Sequence, residues 1–247
     1  MKMVGAKNGL CLAMEVVSEW VNFKAQWFKA HNFAKYQPLP WIGKVSVKRD
    51  ESTIARWEAI KREITIQKGS AMDIGCNLGF FVLSLAEMGF YAIGIDMDHS
   101  FKVISQYVQK KKGLGNSAFS TMKTTPDNIE TLPAVDIVIF LSVWHHWIKA
   151  FGHEQAREMF KTLWKKTNQT LFFESGEDSE IKRLGIKEEP MVWLKRELRE
   201  ICDGGSIRVL GTFDKGAHKK KRQDRTLFAI TRNVQNASSP GLSEELL

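Results

Sequence analysis

Cysteine is scarce in this chain of 247 residues: Cys11, Cys76 and Cys202 form an odd, scattered set. Disulfide frameworks need paired cysteines, so this usage favours a reducing, cytoplasmic compartment. Long apolar runs are also missing, because nothing approaches the roughly 18 consecutive apolar residues of a membrane span. The N-terminus has a cationic start, but the apolar stretch that follows is interrupted by Glu15, which argues against a cleaved signal peptide. We therefore predict a cytoplasmic protein.

Acidic residues are fewer than basic ones, with 28 Asp and Glu against 36 Lys and Arg and a net charge of +8. Most of the excess is local: six Lys or Arg and one Asp between Lys215 and Arg225 give a net +5. This basic run can hold a polyanion, whether RNA, an acidic glycan or the anionic face of a membrane. A solvated hairpin tip is the alternative, and the run contains no aromatic residue for base stacking.

Two helices are predicted before the first strand. Apolar residues at helical spacing indicate a helix from Leu10 to Phe33, and a second is expected from Ser52 to Glu63. The connector YQPLPWIG between them contains two prolines and a glycine and should be extended. The tryptophans of the first helix are expected to cover the core, with dimerisation or a membrane surface as alternatives.

From Ser70 onward, apolar strands alternate with helices, which is typical of a largely parallel sheet covered on both faces. The predicted strands are AMDIG (71–75), YAIGIDMD (91–98), SAFSTMK (117–123), VDIVIFLSV (135–143), TLFFES (170–175), SIRVLGTF (206–213) and RTLFAITR (225–232). The last two should form a hairpin. We predict an N-terminal helical extension and connector over residues 1–50, an α/β domain over 51–233 and a disordered tail over 234–247.

A tight turn, Gly75-Cys76-Asn77-Leu78-Gly79, follows the first strand. Asp96, about 20 residues after this turn at the end of the second strand, can bond both hydroxyls of a ribose. A dinucleotide fits poorly, because the turn lacks the close glycine pair of G-x-G-x-x-G and because Asp73, placed inside this loop, would repel phosphates. A cationic nucleoside such as S-adenosylmethionine suits an acidic turn. A purely structural strand–helix turn is the alternative.

These residues carry a resemblance to a known family. DIGCNLGFF (73–81) followed by GID (94–96) resembles motif I and the acidic residue of class I S-adenosylmethionine-dependent methyltransferases, over roughly Tyr36 to Arg232. The resemblance implies a Rossmann-like, seven-stranded, mostly parallel sheet with an antiparallel last strand, and S-adenosyl-L-methionine as the cofactor. The cofactor-binding residues that it implies in this motif are Asp73, Gly75, Asn77, Gly79, Phe80 and Asp96.

A narrower resemblance lies upstream, where YQ at 36–37 and RW at 56–57 precede the motif. This pattern is similar to the methyltransferase module of bacterial O-antigen chain-terminating enzymes, which cap a polysaccharide and methylate a terminal phosphate. The resemblance implies that Tyr36 and Arg56 help to bind the cofactor. Arg56 can pair with a carboxylate, and Tyr36 can present its ring to a cation. A solvated charge and ordinary packing are the respective alternatives.

Further polar residues follow the fourth strand, in LSVWHHW (141–147). In the family the loop after this strand faces the methyl group, so Ser142 is assigned to the cofactor and His145 and His146 to catalysis. An imidazole can accept the proton of a hydroxyl acceptor, whereas an anionic phosphate needs only to be oriented. Structural roles for the histidines and a zinc site that includes His153 are alternatives, and we predict no metal.

Two weaker candidates lie at other strand ends. Asp127, or its neighbour Asn128, follows the third strand, where the family usually contacts adenine, although a plain Pro-Asp turn explains it nearly as well. Glu174 ends the fifth strand, and we expect its side chain to be exposed at the surface.

The favoured function is methyl transfer from S-adenosylmethionine to an oxygen of a small or glycan-linked acceptor, a phosphate-bearing acceptor included. An RNA methyltransferase is the second candidate, because wobble-uridine and RNA γ-phosphate methyltransferases carry similar DIGCN loops. A non-catalytic nucleotide-binding module is the third. The expected partner is an anionic glycan, with RNA and peripheral contact with the inner face of a membrane as alternatives. The sequence does not indicate an oligomeric state.

Overall fold

The computed structural model describes the chain in several stretches. These are residues 4–29, 37–42, 50–175, 182, 185–214 and 224–232. The helices are α1 (Val4–Lys29), α2 (Asp50–Glu63), α3 (Phe80–Glu87), α4 (His99–Lys112), α5 (Trp144–Phe151), α6 (His153–Lys165) and α7 (Pro190–Ile201). The strands are β1 (Ser70–Ile74), β2 (Tyr91–Asp96), β3 (Ser117–Thr121), β4 (Val135–Leu141), β5 (Thr167–Glu174), β6 (Gly205–Asp214) and β7 (Asp224–Arg232).

The described strands form one seven-stranded sheet in the order β3-β2-β1-β4-β5-β7-β6. The first five strands pair in parallel, and β7 pairs antiparallel with both β5 and β6. The predicted fold class is therefore confirmed, including the terminal hairpin. Strand order reverses between β1 and β4, which is the place where open α/β sheets bind ligands.

Both faces of the sheet are buried, which explains why its strands read as continuous apolar runs. One face packs against α5, α6 and α7 around Phe140, Trp144 and Phe160. The other face packs against α2 and α3 around Trp57 and Phe81. Because each central strand contributes side chains to both clusters, the carboxyl ends of the strands are held in fixed relative positions.

Helix α1 packs against α4 within the part of the helix whose side chains are described, residues 15–27. Phe23 is buried and stacks on Tyr107 of α4, with ring centroids 4.2 Å apart. Earlier in the helix, the exposed large apolar side chains are Val16, Val17, Trp20 and Val21. The expectation that the tryptophans of this helix cover the core is therefore wrong for Trp20.

Several boundaries differ from the sequence prediction. β4 ends at Leu141, two residues early, so Ser142 and Val143 lie in the following turn. Residues 144–151, expected as a loop, form helix α5, whose apolar residues recur at helical spacing. The connector contains a short 3₁₀ helix, Pro40–Ile42, rather than being wholly extended. The basic run at 215–223 and the tail at 234–247 lie outside the described residues.

Candidate active site

A cleft of about 540 Å³, including the solvent at its mouth, opens at the carboxyl ends of β1, β4 and β5. Its lining residues are Gln37, Thr53, Arg56, Asp73, Gly75, Phe81, Leu141, Ser142, Glu174 and Arg225. Of the residues singled out in the sequence, Arg56, Asp73, Gly75, Ser142 and Glu174 are thus brought together. The cleft lies at the switch point of the sheet, where a ligand is expected.

The glycine turn after β1 is closely packed. Gly75 has a φ of 73°, and a Cβ at this position would lie 2.5 Å from Cγ2 of Val143. Only glycine therefore fits here without a shift in the neighbouring turn. The N–H groups of Gly75 and Cys76 both donate to the carbonyl oxygen of Ile95, at 2.8 and 3.1 Å. These bonds tie the turn to β2, the strand that ends at Asp96.

Asp96 holds the next part of the turn. Its Oδ2 accepts a hydrogen bond from the Asn77 N–H at 2.8 Å, and its Oδ1 accepts from the Asp98 N–H at 3.0 Å. Burial raises the pKa of the Asp96 carboxyl, and these two N–H groups act in the opposite direction. Each carboxylate oxygen can accept a second bond, so Asp96 retains the capacity to bind ribose hydroxyls.

Asp73 lies within strand β1 rather than in the loop, which corrects the sequence interpretation. Its side chain is 3% exposed, and its Oδ2 has no hydrogen-bond partner among the described residues. Burial, and secondarily the charge of Asp96, raise the pKa of the Asp73 carboxyl. A buried acceptor without a donor is costly. Because Asp73 lines the cleft, a ligand that carries a positive charge would satisfy it.

Four residues at the other side of the cleft form a hydrogen-bonded group, here called the arginine cluster: Arg56, Ser142, Glu174 and Arg225. Arg56 of α2 donates through Nε to Glu174 Oε2 at 2.5 Å. The Ser142 hydroxyl donates to Glu174 Oε1 at 2.6 Å and accepts from Nη1 of Arg225. That Nη1 lies 3.7 Å from Glu174 Oε1. Two guanidinium groups therefore meet one carboxylate.

Glu174 is 2% exposed, so the expectation that its side chain is exposed is wrong. Arg225, 4% exposed, is a site residue that the sequence interpretation assigned to the basic run. The available signal was topological: the start of an antiparallel last strand lies at the same edge of the sheet as the carboxyl ends of the parallel strands. Ser142 has a φ of 61°, an uncommon conformation for serine that its bonds to Glu174 and Arg225 help to hold.

Phe80 lies beside the cleft rather than on its surface. Its buried ring contacts the rings of Trp41 and Phe81, and Phe81 is the one that lines the cleft. The Phe80 N–H donates to Oε1 of Gln37 at 3.3 Å. Gln37 thus joins the connector to the glycine turn. Tyr36, its neighbour in the predicted upstream motif, lies outside the described residues.

Gly79 and Asn77 shape the turn with left-handed backbone conformations, at φ 77° and 49°. The Asn77 side chain bonds within the turn, since its Oδ1 accepts from the Leu78 N–H at 2.9 Å. A Cβ on Gly79 would overlap the ring of Phe119. These residues therefore set the path of the chain around the end of β1.

His145 and His146 lie in the first turn of α5 rather than in a loop. Their ring centroids are 4.1 Å apart. His145 is 7% exposed, whereas His146 is exposed to solvent. Neither lines the cleft, although Ser142 does. His153 instead contacts Glu197, with Nε2 3.2 Å from Oε2. The described residues contain no group of three or more His, Cys, Asp or Glu that could hold a metal ion.

The turn after β3 is fixed by Asn128. Its Oδ1 accepts from the Thr125 N–H at 2.8 Å, and its Nδ2 donates to the carbonyl oxygen of Lys123 at 2.9 Å. Asp127 is exposed in the same turn. Asn128 therefore holds the turn together, whereas Asp127 is exposed to solvent.

No helix in the described stretches combines the length and the apolar character needed to cross a membrane. This finding agrees with the lack of long apolar runs in the sequence.

Comparisons with known proteins also indicate a methyltransferase. Residues 72–167 match the family model described as a methyltransferase domain. The chain is 28% identical over 156 residues to the "O-antigen chain terminator bifunctional methyltransferase/kinase WbdD" of Escherichia coli, a match that covers 59% of this chain. That alignment spans about a fifth of the relative's length, 20%.

Solved structures share the fold. A 2.2 Å crystal structure of WbdD superposes with a TM-score of 0.61 at 23% identity, covering 79% of this chain and 44% of the other. Magnesium protoporphyrin IX methyltransferase from Synechocystis PCC 6803, with bound SAM, gives a TM-score of 0.55 at 19% identity over 84% of this chain and 94% of the other. The family match, the strand order and the cleft with its acidic strand ends identify this chain as a class I S-adenosylmethionine-dependent methyltransferase.

Proposed function

We propose that this methyltransferase acts on an oxygen of a small or glycan-linked acceptor, phosphate-bearing sugars included. The observation that carries the proposal is the charge pattern of the cleft. At one side, Asp73 Oδ2 has no hydrogen-bond partner among the described residues, and at the other, two arginines face Glu174. The relative from Escherichia coli is by its name an O-antigen chain terminator, which supports a glycan-linked acceptor.

The residues of the cleft fit S-adenosylmethionine. This cofactor supplies an electrophilic methyl group on a positively charged sulfur and also carries an ammonium, a carboxylate and a ribose. Asp73 would pair with positive charge, since its Oδ2 lacks a donor among the described residues. Arg56 uses Nε and Nη1 for Glu174 and Ser52, and its further N–H groups suit a carboxylate. Asp96 would bind the ribose hydroxyls.

The remaining cofactor assignments are part of the same proposal. Gly75, Asn77 and Gly79 would shape the turn around the methionine moiety, with Phe80 holding that turn from behind. Asp127 would contact the adenine, and Tyr36 would assist at the charged end.

The sequence assigned Ser142 to the cofactor. Because its hydroxyl donates to Glu174 and accepts from Arg225, we reassign it to the acceptor side, where Ser142 and Arg225 would orient the acceptor oxygen. With Arg56 assigned to the cofactor carboxylate, the guanidinium of Arg225 is the group that would favour an acceptor carrying negative charge. Phe81 and Leu141 supply apolar surface that excludes water from the cleft. A hydroxyl acceptor would need a base, and we assign that role to His146, the exposed member of the histidine pair, although it does not line the cleft. His145 would then hold the orientation of that ring.

Calorimetry with S-adenosylhomocysteine tests the cofactor assignment. We expect the purified chain to bind this product, and Asp96→Ala to weaken binding by roughly tenfold or more, because ribose hydrogen bonds to a charged group are lost. A wild-type protein that folds but does not bind S-adenosylhomocysteine would overturn the proposal.

Transfer of a labelled methyl group tests the acceptor. The protein is incubated with labelled S-adenosylmethionine and either a cell-envelope extract or total RNA. We expect label in the glycan fraction of the envelope and none in RNA. Label in RNA alone would replace the glycan acceptor with the RNA alternative, while the cofactor assignment would stand.

A further inference from the structure

Glu174 occupies the junction between the two sides of the cleft. It is the last residue of β5, and its two carboxylate oxygens face different partners. Oε2 binds Nε of Arg56, which lies 118 residues earlier in the chain. Oε1 binds the Ser142 hydroxyl, which in turn accepts a bond from Arg225.

The geometry leaves Glu174 with little freedom. A carboxylate that is 2% exposed must be compensated by charge and hydrogen bonds, and here it is held at both oxygens. Each partner comes from a different element: α2, the turn after β4, and β7. A movement of Arg56 therefore changes the position of the carboxylate that Ser142 and Arg225 share.

We propose that Glu174 is a positioning residue that fixes Arg56 at the cofactor side relative to Ser142 and Arg225 at the acceptor side. The inference rests on the proposed function, because it takes Arg56 as a cofactor contact. Glu174 itself does not have to touch either substrate. It acts by holding the guanidinium of Arg56 in the orientation that receives a carboxylate, and by keeping the acceptor side in register with it.

The test is a double-mutant cycle on S-adenosylhomocysteine affinity, measured by calorimetry. The variants are Glu174→Gln, Arg56→Met and the double variant. Glu174→Gln keeps the shape of the side chain and removes its charge. We expect it to weaken binding by roughly tenfold, because a charged hydrogen bond that orients Arg56 is lost. In the Arg56→Met background, the same change should have little further effect.

A purely structural role gives a different pattern. If Glu174 merely stabilised the fold, Glu174→Gln would leave the affinity of the folded protein unchanged. If it acted on the cofactor independently of Arg56, the two losses in affinity would multiply in the double variant. Glu197→Gln is the matched control, because Glu197 is equally buried and paired with arginine but lies outside the cleft. We expect this control to leave the S-adenosylhomocysteine affinity within about twofold of wild type.

The outcomes separate the two proposals. If wild type binds S-adenosylhomocysteine and Glu174→Gln binds equally well, or if the two losses multiply, the positioning role is wrong and the cofactor assignment stands. If wild type does not bind, both fall. Should Glu174→Gln fail to fold, Ser142→Gly replaces it, because glycine suits the φ of 61° and the hydroxyl on Glu174 Oε1 is lost. We then expect a severalfold loss of affinity, and an unchanged affinity would overturn the inference.

Discussion

Two buried glutamates in this protein have similar partners and different surroundings. Glu174 is 2% exposed and binds Arg56, with Arg225 nearby. Glu197 is 3% exposed and binds Nε of Arg157 at 2.8 Å, within a group here called the helix cluster: His153, Arg157, Arg196 and Glu197. Each carboxylate is thus compensated by more than one cation, as a buried charge requires.

The surroundings separate them. The helix cluster joins α6 to α7, and the partners of Glu197 in it reach solvent, with His153 33% and Arg196 49% exposed. The arginine cluster lines a cleft, next to an Asp73 oxygen without a partner and a serine at φ 61°. Strain and unsatisfied polar atoms tend to collect where a ligand completes the structure. The same chemical motif therefore joins two helices in one place and, on the proposed function, forms part of a binding site in the other.

The largest effect is expected from breaking the helix cluster. Glu197→Gln should lower the free energy of unfolding by about 3 kcal/mol, because Arg157 loses its buried carboxylate and keeps only the more exposed Glu200. Urea unfolding measures this change. A loss of S-adenosylhomocysteine affinity without a loss of stability would contradict the division between the two clusters.

Asp73→Asn should have the opposite profile. The S-adenosylhomocysteine affinity should fall by roughly 10- to 100-fold, because the carboxylate that would meet the ammonium, the positive charge that this product keeps, is lost. The free energy of unfolding of the ligand-free protein should not fall, since the removed charge has an oxygen without a partner in the described structure. Calorimetry and urea unfolding report the two quantities.

Asp136→Asn is the control for that change. Asp136 is also a strand aspartate, but its Oδ2 accepts from the Ser70 N–H at 2.8 Å and from the Ser70 hydroxyl at 3.0 Å. We expect this variant to lose stability and keep its affinity. Equal losses of affinity in both variants would show that Asp73 has no special role.

A substitution at the glycine turn should show how tightly the cleft is packed. Gly75→Ala should cost about 2 kcal/mol of unfolding free energy, from the left-handed backbone and from the contact with Val143. Gly113→Ala has a similar φ, 67°, with nothing within 4 Å of the new Cβ, and should cost about 1 kcal/mol. If thermal unfolding gave equal losses of unfolding free energy for the two variants, Val143 and the turn after β4 would be able to shift at little cost.

The smallest effect is a pH dependence. The pKa of Asp73 is raised by burial, so at low pH the ammonium of the ligand must displace a proton from the carboxyl. Affinity for S-adenosylhomocysteine should therefore rise with pH through the raised pKa and then level off, by at most about tenfold per pH unit. Conversely, the ligand-free protein should lose stability as pH rises from the ordinary pKa of an aspartate to the raised pKa of Asp73. Over this interval the folded state keeps a proton that the unfolded state has already lost. Both slopes should disappear in Asp73→Asn, and slopes that persist would assign them to another group.

The fold was predictable because strands buried on both faces read as apolar runs between amphipathic helices. The glycine turn and Asp96 were also readable, since their spacing is local. Helix α5 was missed because eight residues give a weak periodic signal beside a strand that ends two residues early. The side-chain roles of Tyr36, Asp127 and the histidine pair stay predictions.

Long-range pairing explains what the sequence did not reveal. Glu174 finds Arg56 across 118 residues, and Arg225 reaches Ser142 across 83. No local pattern contains this information. Arg225 also borders a run of lysines and arginines, and composition alone cannot separate one buried guanidinium from its solvated neighbours.

The position of β7 has a consequence for how the enzyme is made. β7 inserts between β5 and β6, both of which precede it in the chain, and it carries Arg225 into the cleft. A chain that ended before residue 224 would therefore lack both the strand that joins β6 to the sheet and one of the two arginines of the cleft. Closure of the sheet and completion of the cleft thus depend on the same nine residues.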